Sequence, residues 1–167
     1  TDTARSGSWD IGAFEQTTTE LVTYVREDCT GFSPCYADLD SWESNHGGIT
    51  WGGCSSGDLV CLNAKHTVLI SGDWSGADEA RVTISGWTTD PIAEIEIRAV
   101  GTARHNGTTA ESDDYVLNPG VGIDGHALTI TDDNVTIDGI RITGVTGTSS
   151  EGMRLEGCLL YTSPSPR

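Results

Sequence analysis

Residues Ala127 to Gly144 read ALTITDDNVTIDGIRITG. Apolar side chains fall in pairs two residues apart, Leu128 and Ile130, then Val135 and Ile137, then Ile140 and Ile142, with corners at Asp132-Asp133-Asn134 and at Gly139. Period-two spacing puts each pair on one face of a short strand. A hairpin sandwich would want longer strands joined by Asn-Gly-type turns, and the one Asn-Gly, Asn106-Gly107, sits in a polar stretch instead. Three short apolar teeth in about 18 residues, separated by tight Asp, Asn and Gly corners, suit one coil of a parallel β-helix, in which each rung stacks on the next. The fold class expected is all-β, with a β-sandwich as the alternative.

The same texture extends upstream. Val, Ile and Thr are concentrated in Thr67 to Ser71, Arg81 to Ser85 and Glu94 to Val100, each bounded by Gly, Asp or Asn. Val82-Thr-Ile-Ser-Gly86 and Val135-Thr-Ile-Asp-Gly139 are near copies, each a β run ended by a glycine corner. Gly101 to Gly120 reads as a long loop leaving the stack. Leu21 to Val25 alternates weakly as a strand. The one helix expected covers Tyr36 to Asn45, with Asp40 and Glu43 in capping-box spacing and Gly47 as its stop. Leu39 and Trp42 would form its buried stripe, too little to hold an isolated helix in water, so it must dock on something.

Nine Lys and Arg stand against 25 Asp and Glu, a formal charge of −16. The cations are scattered, and Lys65 is the only lysine. Nucleic acid and anionic membranes need clustered cations to replace phosphate counterions, so both are excluded as partners. No run of 18 apolar residues is present either, so no membrane insertion is expected. One domain with a modest core is expected at this length, and 21 glycines point to a turn-rich chain.

Four cysteines fall as Cys29-x5-Cys35 and Cys54-x6-Cys61 within Gly, Ser and Pro. Paired local spacing favours two disulfides over a zinc site, which would more usually show C-x2-C or C-x4-C with a matching second pair; four free thiols are the plain alternative. Disulfides place the chain in an oxidising setting, extracellular or at the cell surface.

The ends read differently from the middle. Cys158 to Arg167 (CLLYTSPSPR) matches no periodicity upstream and is similar to a translated sequencing adapter; it is expected to be non-native, with a natural Ser/Pro-rich tail as the alternative. Its removal makes the formal charge one unit more negative. Asp10-Ile-Gly-Ala-Phe-Glu15 resembles the closing segment of secreted bacterial β-helix domains, and Gln16 to Glu20 has linker composition. Residues 1–15 are thus expected to be the tail of a preceding domain, or an edge strand. Residues 16–20 are then a linker, and 21–157 the N-terminal part of a β-helix domain cut short at its end.

From Tyr36 to about Gly144 the order of features resembles the secreted right-handed, single-stranded parallel β-helix proteins of the pectin-lyase-like superfamily. The residues that carry the resemblance are Tyr36 to Glu43, Val82 to Asp90, Arg104-His-Asn-Gly107, and Leu128 to Gly144. It covers about two-thirds of the chain, and its motifs are architectural. The resemblance implies a short capping α-helix over the open first rung, which would hide strand edges that otherwise recruit other chains. It also implies polysaccharide as the substrate or partner class.

Polysaccharide lyases of this superfamily use carboxylates that hold calcium and a basic residue that removes a proton. Asp132, Asp133 and Asp138 beside Arg141 invite that comparison, since calcium wants several converging oxygens. Asp at a corner is equally explained by turn chemistry, and Asp138 and Arg141 fall on outward positions. No catalytic signature carries over residue by residue. His66, His105 and His126 lack metal-site spacing. Trp51, Trp74 and Trp87 lie in Gly/Ser/Thr-rich segments, where an indole either stacks on a sugar ring or plugs the end of a small core; Trp87, directly after the Gly86 corner, is expected to be the more exposed. The function expected is a non-catalytic segment of a secreted or cell-surface β-helix protein that binds polysaccharide, adheres or presents a rigid surface. The alternative is the first coils of a polysaccharide lyase or glycoside hydrolase whose active site lies on later coils. The acidic surface favours neutral glycans or calcium-bridged contact with acidic ones.

Overall fold

The computed structural model of the protein describes residues 18–107, 113–120, 125–146 and 151–156. The expected preceding-domain tail at 1–15 and the adapter-like residues 158–167 lie outside these ranges. Strand predominates and helix is minor. The strands are β1 (Thr19–Val25), β2 (Cys35–Tyr36), β3 (Ala64–Ile70), β4 (Val82–Ile84), β5 (Ile95–Ala99), β6 (Val116–Leu117), β7 (His126–Ile130), β8 (Val135–Asp138), β9 (Arg141–Ile142) and β10 (Glu151–Leu155). Among the described residues two α-helices are present, α1 (Leu39–Ser44) and α2 (Leu59–Leu62). Strand β1 takes in Thr19 and Glu20 from the run with linker composition.

The strands form three sheets, of order β2-β1-β3-β5-β8, β10-β7-β4 and β6-β9, and every strand pair is parallel. From Ala64 the chain makes three passes in one fixed order. The first runs through β3, then Asp78, which bridges Leu117, then β4. The second runs through β5, β6 and β7, and the third through β8, β9 and β10. Equivalent residues stack in register: Val68, Ile97 and Ile137; Val82, Leu128 and Met153; Leu117 and Ile142. Parallel ladders cannot be closed by tight hairpins, so each pass must travel round the stack before pairing again. The interior faces of the first two passes make one core, with Val68, Ile70, Ile84, Ile95, Ile97, Leu117 and Leu128 fully buried.

The Val82 and Val135 copies occupy different sheets. Val82 and Ile84 pair with Leu128 and Ile130, whereas Val135 and Ile137 pair with Ile95 and Ile97. What they share is local: an inward pair followed by a glycine in the left-handed region, Gly86 (φ 82°) and Gly139 (φ 74°), which turns the chain toward the next sheet. The expected loop at 101–120 contains β6, whose single inward Leu117 gives no alternation to detect.

Helix α1 is shorter than the expected 36–45 and starts differently. Its cap is Asp38, whose Oδ1 accepts the Ser41 N–H at 2.6 Å, in place of Asp40. Leu39 and Trp42 are fully buried, as their spacing requires, and the helix packs against β4, the edge strand of its sheet. Burying Leu39 alone contributes about 2 kcal/mol, more than six residues of helix could supply by themselves. The disulfides pair Cys29 with Cys35 and Cys54 with Cys61, as the spacing indicates. The first closes the loop leading into β2, and the second ties the turn at 51–57 to α2.

Candidate functional site

Two polar assemblies stand out, one buried beneath α1 and one open on the outer side of the β6-β9 sheet. The buried assembly centres on Trp87, which is only 6% exposed, correcting the expectation that the Gly86 corner would present it to solvent. Trp87 stacks on Trp42 with ring centroids 5.5 Å apart and 14° between planes, and His66, His46 and Trp51 pack around it. Glu43 lies in the same buried layer. Its Oε1 accepts Ser85 N–H at 2.8 Å and its Oε2 accepts the Trp87 indole N–H at 3.0 Å. Burial pushes the Glu43 carboxyl up to about 7 despite these two donors. His66 occupies an inward position of β3 in line with Ile95 and Val135, and burial lowers it to about 3, so it is neutral; its Nε2 meets Thr23 Oγ1 at 2.9 Å. Both oxygens of Glu43 are committed, so this layer is a tie between helix and strands.

Asp132 completes the tie, accepting Gly86 N–H at 3.3 Å and Trp87 N–H at 3.0 Å, with its carboxyl raised by partial burial. Asp138 is paired instead with Arg104, which holds its carboxyl below the ordinary value. The Asp133 backbone carbonyl accepts the Thr89 hydroxyl at 2.8 Å. Asp132 and Asp138 therefore serve separate partners. Among the described residues no three His, Cys, Asp or Glu side chains converge as a cation site, so the calcium comparison at Asp132, Asp133 and Asp138 has no geometric basis.

The open assembly is a groove of about 300 Å³. Trp74 and Ser75 line it from the first pass, Asn118 from beside β6, and Arg141 and Thr143 from β9 and the residue after it. Its wall is held by Glu27, whose carboxylate accepts the Ser75 N–H at 2.8 Å, the Ser75 hydroxyl and the Gly76 N–H. Arg141 is oriented by Asp114, a buried carboxylate that accepts Arg141 Nη2–H at 2.9 Å on one oxygen and meets His105 Nδ1 at 3.0 Å with the other. Arg141 is thus not a partner of Asp138, its neighbour in sequence.

The three tryptophans separate. Trp74 is 5% exposed, with its ring edge against Tyr115 at 4.8 Å, so it supports the groove from behind. Trp87 is core. Trp51 is the only one of the three with substantial exposed surface, packed against the core beside Trp87. None of Glu27, Ser75, Asp114 or Asn118 is legible as a site residue in sequence, because each is one polar residue in a polar stretch. Compared with protein-family models, with curated proteins and with solved structures, the chain gives no match.

Proposed function

We propose that the three passes are successive coils of a right-handed parallel β-helix of the pectin-lyase-like type, and that this segment serves a secreted or cell-surface protein as a rigid polysaccharide-binding surface. The observation that carries the reading is the order of the passes: each visits three parallel sheets in one sequence, in register with the pass before it. Right-handed winding follows from the general preference of parallel crossovers. The two disulfides and the absence, among the described residues, of a helix long and apolar enough to cross a membrane accord with an extracellular setting. The reading is non-catalytic because Asp138 and Arg141 are each committed to a different structural partner, Arg104 and Asp114.

Affinity electrophoresis of the chain through gels containing neutral or acidic polysaccharide, the latter with and without calcium, tests it. Retardation by at least one polysaccharide is expected. Unretarded migration in all of them removes the binding role. Release of unsaturated uronate products, followed by ultraviolet absorbance, would instead make the segment an enzyme.

A further inference from the structure

We infer that the groove over the β6-β9 sheet is the glycan site, and that it takes a short run of a neutral, hydroxyl-rich glycan lying along the stack, across successive passes. This rests on the polysaccharide-binding reading above and specifies its ligand. The direction comes from the lining. Ser75 and Ala77 belong to the first pass, Asn118 to the second, and Arg141 and Thr143 to the third, so the groove crosses the strands instead of following one. With strands about 4.8 Å apart, three passes span about 10 Å between their centres, the scale of a short oligosaccharide and not of a single sugar.

The ligand class follows from charge and from donor and acceptor types. The groove contributes one cation, Arg141, and one anion, Asp114, and they neutralise each other at 2.9 Å. The chain as a whole carries −16, so a polyanion is repelled at long range and meets no net positive charge on arrival. A neutral glycan is not repelled. Thr143 and Asn118 carry side chains able both to donate and to accept, which matches hydroxyls that do the same, while the Ser75 hydroxyl, whose proton goes to Glu27, offers acceptor lone pairs. Arg141 commits one Nη2–H to Asp114 and retains further guanidinium donors.

The site is also pre-formed. Glu27 pins the Ser75 wall through four contacts, and Asp114 fixes the guanidinium from beneath, so little ordering is needed on binding. Because Trp74 is buried, no indole face is offered for ring stacking. Recognition is therefore led by hydrogen bonds, and affinity should climb with chain length until the groove is filled.

Isothermal titration of the 167-residue chain with neutral hexose oligosaccharides from mono- to hexasaccharide, and with oligogalacturonates with and without calcium, tests the inference in three proteins: the wild type, Ala77→Tyr, which fills the groove from an exposed position, and Trp51→Ala, which removes the half-exposed tryptophan of the aromatic cluster beside Trp87. Circular dichroism establishes that each variant is folded, and Thr143→Tyr replaces Ala77→Tyr if the latter is not. The expected result is binding of a neutral series that strengthens at least tenfold from mono- to trisaccharide and then levels, is weakened at least tenfold by Ala77→Tyr and is unchanged by Trp51→Ala. Binding of acidic oligosaccharides alone overturns the inference while leaving the polysaccharide-binding role intact. So does binding that survives Ala77→Tyr and is lost in Trp51→Ala, which moves the site to the aromatic cluster. No binding of any oligosaccharide, together with unretarded migration in every polysaccharide gel, removes both.

Discussion

The carboxylate of Glu43 on α1 accepts the indole N–H of Trp87 at 3.0 Å, and its other oxygen accepts the Ser85 N–H at the end of β4 at 2.8 Å. One buried side chain thus joins the covering helix to the edge strand and to the corner that follows it. Leaving two buried donors without an acceptor is expensive. Glu43→Ala is expected to lower the unfolding free energy by about 3 kcal/mol, and Glu43→Gln, whose amide oxygen retains one acceptor, by about half as much. Urea denaturation at pH 6 measures both. An Ala variant within about 0.5 kcal/mol of wild type would mean that the carboxylate does not hold the helix.

The same layer sets the pH response. The folded Glu43 carboxyl titrates at about 7 against an ordinary 4.5, so the folded state holds the proton more tightly, and stability falls as pH rises from 4.5 through 7. The folded His66 titrates at about 3 against an ordinary 6.5, so the unfolded state holds that proton more tightly, and stability falls as pH drops from 6.5 toward 3. The slopes oppose each other between 4.5 and 6.5. Thermal unfolding should therefore show a plateau across that interval, a fall of no more than about 1 kcal/mol above it as Glu43 finishes ionising, and a larger loss below it, where His66 acts unopposed. Glu43→Gln should abolish most of the fall above pH 6.5 and leave the acid limb in place. An unchanged neutral limb in that variant would assign the effect elsewhere.

Asp78 makes a second tie. Its carboxylate accepts the Leu39 N–H at 3.1 Å, the Tyr115 hydroxyl at 2.6 Å and the Ala80 N–H at 3.0 Å, and its backbone pairs with the β6 pass. Tyr115→Phe removes one of three donors and should cost about 1 kcal/mol, whereas Asp78→Ala strands all three and should cost about 4 kcal/mol. Burial also keeps the Tyr115 phenol well above its ordinary range, so its ultraviolet titration should be absent until the chain unfolds in alkali. Early titration of every tyrosine would contradict this placement.

Both disulfides close short loops. Serine replacement of Cys29 and Cys35 together, or of Cys54 and Cys61 together, should each lower stability by about 2 kcal/mol through the freed unfolded chain. Alkylation of unreduced, unfolded protein followed by mass measurement should leave these four cysteines unmodified. Four labelled thiols would remove the argument for an oxidising compartment.

Much of the scaffold was legible because its signals are local. Period-two alternation marked β4, β5 and β7 to within a residue, the start of β8 and the C-terminal half of β3, Leu39 and Trp42 marked the buried side of α1, and cysteine spacing marked both disulfides. Signals that depend on distant partners were not legible. Glu43 looked like a helix-capping acid because capping-box spacing is common on exposed first turns, yet its side chain faces donors more than forty residues away. Trp87 looked exposed because it follows a corner, and α1 covers it.

Which residues face inward along most strands, and where the chain turns, can be read locally, because alternation and corner residues act through near neighbours. Which strand lies beside which emerges only once the passes pack against one another. Val82 and Val135, alike in their local sequence, stack on Leu128 and Ile95 in different sheets, since parallel pairing is chosen by the length of each pass and by what fills the core between them. The groove exists only at that level. Its polar lining, Ser75, Asp114, Asn118, Arg141 and Thr143, comes from three separate stretches of sequence and is meaningless as a set until three passes bring it together.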